Sequence, residues 1–499
     1  MNGDAGEGGV SRTPAHRPKD LSRIVHWSAA ELSMAIRTRV VTCAEVMSAH
    51  LDHIDKINPR VNAIVSLRPR ADLLAEAEEK DRLLRTGVRQ GWMHGFPYAV
   101  KDLADVAGLP TTFGLLPQAS GQAAASEDAL FVERIRAAGA IFIGKTNTPQ
   151  LGLGSHTYNN VFGTTLNAYD QTKSAGGSSG GAAVAVALRM VPVADGSDFM
   201  GSLRNPPGWN NVYGLRPSFG RVPSPGGEQF VAQASVIGPI ARDATDLGLL
   251  LQTMAGYDDR APLSLHDDAP GSKLLRGGRV AWFGDLGGYL PMEPEVLRLT
   301  TEALDTFTAL GMTVTTLDDL PGFGSFTGKQ DLWPAWLALR HWLSGSSVKT
   351  AYDDLALRPL LKPEAIFEYD GLARLTAADV MAASILRSDL YRAFLQLFTT
   401  YDYAVLPTAQ TMPFDAILHW PDKIGDRSMS TYHRWMEVTT IGTLINAPVL
   451  ALPAGFGTTG LPIGLQVIGR NRDDHALIDL AQAWERTTGL QRTLPPLLG

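Results

Sequence analysis

The sequence predicts an α/β protein, because segments with helix signals alternate with short apolar segments typical of buried strands. Two capping boxes, one from Ser28 to Glu31 and one from Thr42 to Glu45, each mark the start of an amphipathic helix. Residues 96–100 and 140–143 are apolar and short enough to form buried strands. This order of elements is typical of an α/β architecture.

The remaining elements continue the alternation. We expect a helix that begins at an N-cap Ser126 and runs through Ala138, and residues 182–188 predict a helix that is apolar on every side and therefore buried. Residues 321–400 predict mostly helix and are rich in aromatic side chains. Further strands are predicted at 279–283, 312–316, 403–406, 449–452 and 461–466, and further helices at 71–85, 293–310 and 474–485.

One large domain is the simplest organisation for residues 21–499. The sequence contains no internal repeat, no low-complexity linker and no clean boundary after Leu21. Residues 1–20 are rich in Gly, Pro and charge, so we expect them to form a disordered tail. They lack the apolar run of a signal peptide.

Composition excludes several classes of protein. Hydrophobic residues make up 44% and charged residues 19% of the 499, which is typical of a soluble globular chain. The formal net charge is −7 with both signs scattered, so we expect no nucleic-acid partner. The most apolar stretch, 182–188, is far shorter than the ~20 residues of a membrane span. With Cys43 as its one cysteine, the chain cannot form an internal disulfide, and we expect a cytoplasmic location.

Two familiar patterns are misleading. Residues 139–146 fit the Walker A pattern, but their interior is itself an apolar strand and Pro149 follows where a helix should begin. Residues 176–180 fit the Gly-x-Ser-x-Gly pattern of α/β-hydrolases, but the preceding residues 170–175 are mainly polar rather than an apolar strand. Neither pattern therefore supports nucleotide binding or a nucleophile elbow.

Two serine-containing segments carry the strongest functional signal. Ser178 and Ser179 lie in the run 176–181, which is otherwise glycine and leads directly into the apolar helix. We expect these hydroxyls to be buried at a helix N-terminus, where they need hydrogen-bond partners. Downstream, a second turn of small residues places Ser202 next to Gly201.

These segments resemble the signature of the amidase signature family. The family pattern combines a Gly-Gly-Ser-Ser-Gly-Gly run, an Ala-rich helix and a Gly-Thr/Ser-Asp-x-Gly-Gly-Ser-x-Arg-x-Pro segment. The chain has these motifs at 176–181 and 196–206, together with a Lys-Asp pair at Lys101 and Asp102 before Gly108-Leu-Pro-Thr-Thr112. Residues 144–147 and 460–466 are also similar to the family, so the resemblance extends from about residue 21 to about residue 490.

The resemblance implies a catalytic role for three side chains. Ser202 corresponds to the nucleophile, Ser178 to a bridging serine preceded by a cis peptide bond, and Lys101 to the general base. The implied oxyanion hole consists of backbone N–H groups, and the implied supporting residues surround the three side chains. The oxyanion donors are Phe199, Met200, Gly201 and Ser202, and the supporting residues are Ser179, Asp198, Arg204, Gly176 and Gly177. The implied fold is a mixed, mostly parallel central β-sheet with helices on both faces.

A lysine can act as the base only while it is uncharged, which requires burial or nearby positive charge. The apolar residues 96–100 are consistent with burial of Lys101. Asp102 should point to the opposite face of the strand and so should not hold a proton on Lys101. Met200 departs from the family pattern, which usually has Gly there, and we expect it to alter the acyl preference without removing a backbone donor.

The expected function is hydrolysis of C–N bonds in small or aryl-containing amides, without a metal or other cofactor. The same machinery could act on carbamates, esters or nylon-type oligomers, and the family also contains the glutaminase component of a tRNA-dependent amidotransferase. We expect a small-molecule amide or carbamate as the only partner of a monomer or homodimer. Residues 321–400 are expected to form a helical insertion that selects the substrate, because they are aromatic-rich and carry no catalytic motif.

Overall fold

A computed structural model describes residues 16–115, 124–266, 277–323 and 332–499. Residues 1–15 of the predicted tail lie outside the described residues. Of the remainder, Arg17 forms an ion pair with Glu45, and Asp20 caps a short 3-10 helix, Leu21–His26. None of the described helices is both long and apolar enough to cross a membrane.

The helices largely follow the predicted order, and both capping boxes are present at Ser28 and Thr42. The α-helices are α1 (Ala29–Arg37), α2 (Cys43–Val61), α3 (Arg70–Arg85), α4 (Leu130–Ala137), α5 (Gly180–Ala187), α6 (Asn205–Trp209), α7 (Ala244–Met254), α8 (Pro294–Glu302), α9 (Asp305–Ala309), α10 (Leu332–Asp353), α11 (Pro363–Leu372), α12 (Ala377–Leu397), α13 (Thr440–Leu444) and α14 (Asp474–Thr488).

The strands form a small sheet and a large one, together with two short hairpins. The strands are β1 (Ile64–Val65), β2 (Pro97–Lys101), β3 (Ile141–Thr146), β4 (Tyr158–Asn159), β5 (Gly163–Thr164), β6 (Val193–Asp198), β7 (Tyr213–Arg216), β8 (Val236–Ala241), β9 (Arg279–Trp282), β10 (Thr313–Thr316), β11 (Tyr403–Pro407), β12 (Lys423–Ile424), β13 (Arg427–Ser428), β14 (Val449–Phe456) and β15 (Pro462–Ile468). The small sheet has the order β1-β3-β2, and the large one β10-β9-β11-β15-β14-β7-β8-β6.

The chain is a single-domain α/β protein whose large mixed sheet is flanked by helices, as expected. The expected predominance of parallel pairs is wrong, however. In the large sheet, β9 pairs in parallel with β10 and with β11, whereas the pairs from β11 through β15, β14, β7 and β8 to β6 are antiparallel. The direction of a strand depends on how the chain returns to the sheet, and the apolar pattern within a strand does not specify it.

Helix α5 connects the two sheets. Every residue of this helix is buried, as its all-apolar sequence predicts, and it packs against β1, β2 and β3 on one side and β6 and β8 on the other. Strand β2 also contacts the edge strand β6 of the large sheet. The end of β2, the start of α5 and the end of β6 therefore meet in the protein interior.

Two helix predictions need correction. Helix α4 begins at Leu130 and not after Ser126, because residues 125–129 are bonded to the preceding loop instead: Ala125 exchanges backbone hydrogen bonds with that loop and the Asp128 carboxylate accepts the Ala107 N–H. The predicted helix 293–310 is divided into α8 and α9.

Strands β6, β7 and β8 were not predicted. Strand β6 contains Asp195, Ser197 and Asp198, so its sequence lacks the apolar character expected of a strand that is buried on both faces. These polar residues belong to the site described below. Local sequence patterns fail here because the strand serves chemistry as well as packing.

We predict that Trp484→Ala destabilises the protein by about 3–5 kcal/mol. The Trp484 side chain is fully buried in α14, packs against Phe307 with ring centroids 5.0 Å apart, and donates a hydrogen bond to the Pro453 carbonyl. A shift of the urea unfolding midpoint measures the loss. Leu355→Ala, at a residue that is 84% exposed, is the control and should leave the midpoint unchanged; equal midpoints for both variants would contradict this account of the core.

Candidate active site

Three side chains that the sequence placed far apart form a continuous line of polar atoms. Lys101 Nζ lies 2.8 Å from Ser178 Oγ, and Ser178 Oγ lies 3.0 Å from Ser202 Oγ. All three residues are buried, with 1%, 4% and 7% of their surface exposed in the same order. A proton can therefore pass between Ser202 and Lys101 through the Ser178 hydroxyl without leaving the protein.

Lys101 and Ser178 are positioned by β2 and α5, which meet at the site. Lys101 is the last residue of β2, and Ser178 lies just before α5, where the Gly177–Ser178 peptide bond is cis, as the resemblance implied. Gly176 has a φ of +74°, and a Cβ atom there would clash with the side-chain oxygen of Asn205. The glycines thus allow the serine segment to approach the start of α6 closely.

The environment of Lys101 favours an uncharged amine. Burial lowers its pKa to about 7, although the nearby carboxylates of Asp195 and Asp198 act in the opposite direction. Besides Ser178, Lys101 Nζ has the hydroxyls of Ser179 and Ser197 at 2.9 Å each. These groups solvate the amine and fix its position.

Asp102 does not take part in this arrangement. Its carboxylate accepts hydrogen bonds from the backbone N–H and the hydroxyl of Thr112. Lys101 and Asp102 therefore point to different surroundings, as strand alternation predicts. The interaction also gives a structural reason for a Thr at this distance from the Lys-Asp pair.

A second charged group supports the turn that carries Ser202. The Asp198 carboxylate accepts from Arg204 at 3.0 Å and from Arg216 at 3.3 Å, and all three side chains are fully buried. Burial alone would raise the pKa of Asp198, but the two guanidinium groups hold it well below the usual range of a carboxyl. Arg204 also donates to the Thr439 carbonyl and to Gln466. The turn is thereby connected to the 3-10 helix Arg434–Thr439, which precedes α13, and to β15.

The structure corrects one of the four predicted oxyanion donors. The Gly201 N–H donates to Asp198 Oδ1 over 2.8 Å, because the turn after β6 closes onto that carboxylate. By contrast, the N–H groups of Phe199, Met200 and Ser202 have no acceptor among the described residues. They are the backbone donors still available to a negatively charged oxygen next to Ser202.

A cavity of about 270 Å³ opens onto Ser178 and Ser202. Its volume is near the lower end of small-molecule sites. Met200 lines it, as do residues of α10, so the predicted contribution from 321–400 is present in the structure. Ten of the 21 lining residues are apolar, and apolar atoms make up most of the exposed cavity surface. The ten are Leu103, Leu151, Leu153, Phe199, Met200, Ala232, Ala234, Leu343, Val348 and Met436.

Arg340 and His433 are the charged and titratable groups of the cavity wall that the sequence did not indicate. The Arg340 guanidinium donates to Glu368 and to the Tyr432 hydroxyl, so its charge is already balanced inside the protein. Burial and the adjacent Arg340 keep the pKa of His433 well below its ordinary value. The cavity therefore presents no free charge from this wall.

Asp195 and Ser197 were also missed as neighbours of Lys101. The Lys101 N–H donates to Asp195 Oδ2 over 3.2 Å, and Ser197 contacts the amine. Both residues lie on β6, two positions apart, so they share one face of the strand. They lie on the face of β6 opposite to Asp198, so the sequence motif around Asp198 did not indicate them.

The structure also excludes the functions that the Walker A-like and Gly-x-Ser-x-Gly patterns would suggest. Strand β3 runs through the interior of the Walker-like segment, and the Lys145 amine donates to the Ala104 carbonyl and to Thr111 instead of facing a phosphate loop. No strand leads directly into Ser178, as a nucleophile elbow requires. Within the described ranges, no cluster of three or more His, Cys, Asp or Glu side chains could hold a metal ion.

Comparison with known proteins matches this chain to amidases and related enzymes. The sequence model of the amidase family matches residues 45–478. An acylamidase of Rhodococcus erythropolis is 33% identical over 470 residues, which cover 92% of this chain and 95% of the acylamidase. A component chain of the glutamyl-tRNA(Gln) amidotransferase of Thermosynechococcus vestitus is 30% identical over 502 residues, covering 94% of this chain and 99% of that component.

Solved structures agree with these relatives. The crystal structure of a bacterial aryl acylamidase of the amidase signature family has a TM-score of 0.84 at 27% identity, covering 94% of this chain and 99% of that one. A 6-aminohexanoate cyclic dimer hydrolase shares the fold, with a TM-score of 0.81 at 24% identity over 95% of this chain and all of the hydrolase.

We predict that a fluorophosphonate probe, which labels activated serine hydroxyls, reacts with Ser202 at a rate that rises with pH. Below the pKa of Lys101 the ammonium cannot accept the serine proton, so the rate should be half-maximal near pH 7 and level off above it. Peptide mapping by mass spectrometry after timed labelling gives this rate. A rate independent of pH between about 5 and about 9 would contradict the assignment of Lys101 as the base.

Proposed function

This chain belongs to the amidase family and is an amide-hydrolysing enzyme, and we propose that it acts through an acyl-enzyme formed on Ser202. The observation that carries the proposal is the line of hydrogen-bond distances from Lys101 through Ser178 to Ser202 at the end of an apolar cavity. A serine hydroxyl is a weak nucleophile until a base accepts its proton, and this line supplies the base.

In the proposed mechanism, Ser202 Oγ attacks the amide carbonyl while its proton passes to Ser178 and the Ser178 proton passes to Lys101. The negative charge on the carbonyl oxygen is stabilised by the N–H groups of Phe199, Met200 and Ser202. The proton then returns through Ser178 to the leaving amine, and the C–N bond breaks. Water, activated by the same route, releases the acid and restores Ser202.

The cavity supports small acyl amides with an apolar or aryl leaving group as substrates. Its volume of about 270 Å³ and its largely apolar lining suit a compact, uncharged molecule. The names of two relatives, an acylamidase and an aryl acylamidase, are in line with this substrate class. Carbamates and esters remain alternative substrates of the same machinery, because its groups act at the carbonyl carbon in each case.

The glutaminase component of an amidotransferase is the second candidate, and the similarity to the Thermosynechococcus chain favours it. Free glutamine carries an ammonium and a carboxylate, which a specific site would pair with opposite charges. The Arg340 guanidinium in the cavity wall is already paired with Glu368. We therefore favour a free-standing enzyme over the amidotransferase component. We also propose that it is a monomer or homodimer in the cytoplasm, with a small molecule as its only partner. A screen of anilides, aliphatic amides, carbamates, esters and glutamine separates the candidates.

We predict that Ser202→Ala lowers kcat for an anilide by a factor of about 10⁴ or more while the fold is retained. The substitution removes only the nucleophilic oxygen, and the remaining side chain fits the same space. Release of the aniline is followed by absorbance, and circular dichroism checks the fold. Ser346→Ala, on the exposed side of α10, is the control and should keep full activity; substantial turnover by folded Ser202→Ala would refute the assignment.

We also predict that Met200→Ala shifts the acyl preference towards larger groups. Met200 lines the cavity, and its truncation enlarges the space next to Ser202 without removing a backbone donor. The ratio of kcat/KM for a hexanoyl anilide to that for an acetyl anilide should rise about tenfold. Leu343→Ala tests the part of the cavity lining that α10 contributes. An unchanged ratio in both variants would show that the acyl group lies elsewhere.

A further inference from the structure

The proposed reaction places a positive charge on Lys101 once in each half-reaction. The amine is buried with 1% of the residue exposed, and its nearest polar partners are the neutral hydroxyls of Ser178, Ser179 and Ser197. A buried ammonium is strongly disfavoured unless an anion lies close by. The mechanism therefore needs a counter-charge that the three catalytic residues do not provide.

Two of the buried carboxylates around Lys101 are already balanced. Asp198 is paired with both Arg204 and Arg216, so that cluster is positive overall. Asp102 receives two hydrogen bonds from Thr112 and faces the Lys145 ammonium.

Asp195 is the carboxylate left to match the charge on Lys101. It is 1% exposed, its Oδ2 accepts the Lys101 backbone N–H, and its Oδ1 has no hydrogen-bond partner among the described residues. The other groups that face it are the Tyr98 side chain from β2 and, through its charge, Lys145 from β3. Asp195 and Ser197 share the face of β6 that is turned towards Lys101.

We propose that Asp195 is a positioning residue that supplies the counter-charge for the ammonium formed whenever Lys101 takes up a proton. The proposal rests on the function proposed above, in which Lys101 is the base. Asp195 does not touch the substrate or exchange a proton with it. It sets how readily Lys101 accepts the proton of Ser202 by way of Ser178.

The protonation behaviour of Asp195 and Lys101 supports this role. Burial raises the pKa of Asp195 to about 6, whereas burial lowers that of Lys101 to about 7. Asp195 is therefore ionised over most of the range in which Lys101 titrates. Its negative charge raises the pKa of Lys101 against the effect of burial, so removal of the charge must lower that pKa.

The test is the pH dependence of kcat/KM for anilide hydrolysis by Asp195→Asn. Asparagine keeps the size and an oxygen that can accept the Lys101 N–H but removes the charge. The acidic limb of the profile should move to lower pH by about one unit or more, and the plateau should fall because the ammonium is less stable. Asp195→Ser is a second charge-free variant that must shift the limb in the same direction, and Asp195→Glu should return it towards the wild-type position.

Asp102→Asn is the matched control, because it removes a buried carboxylate one residue from Lys101 that is bonded to Thr112. The acidic limb of the pH profile of this control variant should stay at the wild-type position. A lower plateau without a shifted limb in both Asp195→Asn and Asp195→Ser would mean a structural role only and would overturn the proposal. Failure of the proposed function is recognised separately, by folded Ser202→Ala that still hydrolyses the anilide.

Discussion

The burial of Lys101 is the constraint on which the site depends. The amine must lack a proton at the start of the reaction, which requires exclusion of water, and yet it must accept one during the reaction, which requires polar surroundings. The apolar strand β2 supplies the first condition. The hydroxyls of Ser178, Ser179 and Ser197 and the carboxylate of Asp195 supply the second. The small sheet, α5 and β6 must meet closely for both conditions to hold.

Charged groups of opposite sign lie at the two ends of the line of hydroxyls: positive charge near Ser202 and negative charge near Lys101. The cluster of Asp198 with Arg204 and Arg216 is positive overall and lies under the turn that carries Ser202, where the substrate oxygen would become negative. Asp195 adds a negative charge at the opposite end, where Lys101 becomes positive. Movement of the proton from Ser202 to Lys101 would thus create each charge next to a group of the opposite sign, among side chains that are buried.

The sequence was sufficient to predict the α/β class and the buried helix α5, because these signals are local patterns of small and apolar residues. The residues that form the line of polar atoms were indicated by the resemblance to the amidase signature family. It did not indicate the antiparallel part of the large sheet, since apolar periodicity does not encode strand direction. It missed Asp195 because the contact with Lys101 arises only when β2 packs against β6. The occupied Gly201 N–H depends on the backbone geometry of one turn, which no residue pattern specifies.

The most direct test of the proton relay compares an amide with an ester that share the same acyl group and ring system, using Lys101→Ala. An amine must receive a proton before it can leave, whereas a phenolate leaves without one, so only the amide needs the relayed proton. We predict that kcat/KM for the amide falls at least about tenfold more than kcat/KM for the ester. Equal losses on the two substrates would contradict the claim that Lys101, acting through Ser178, is the acid–base group of this enzyme.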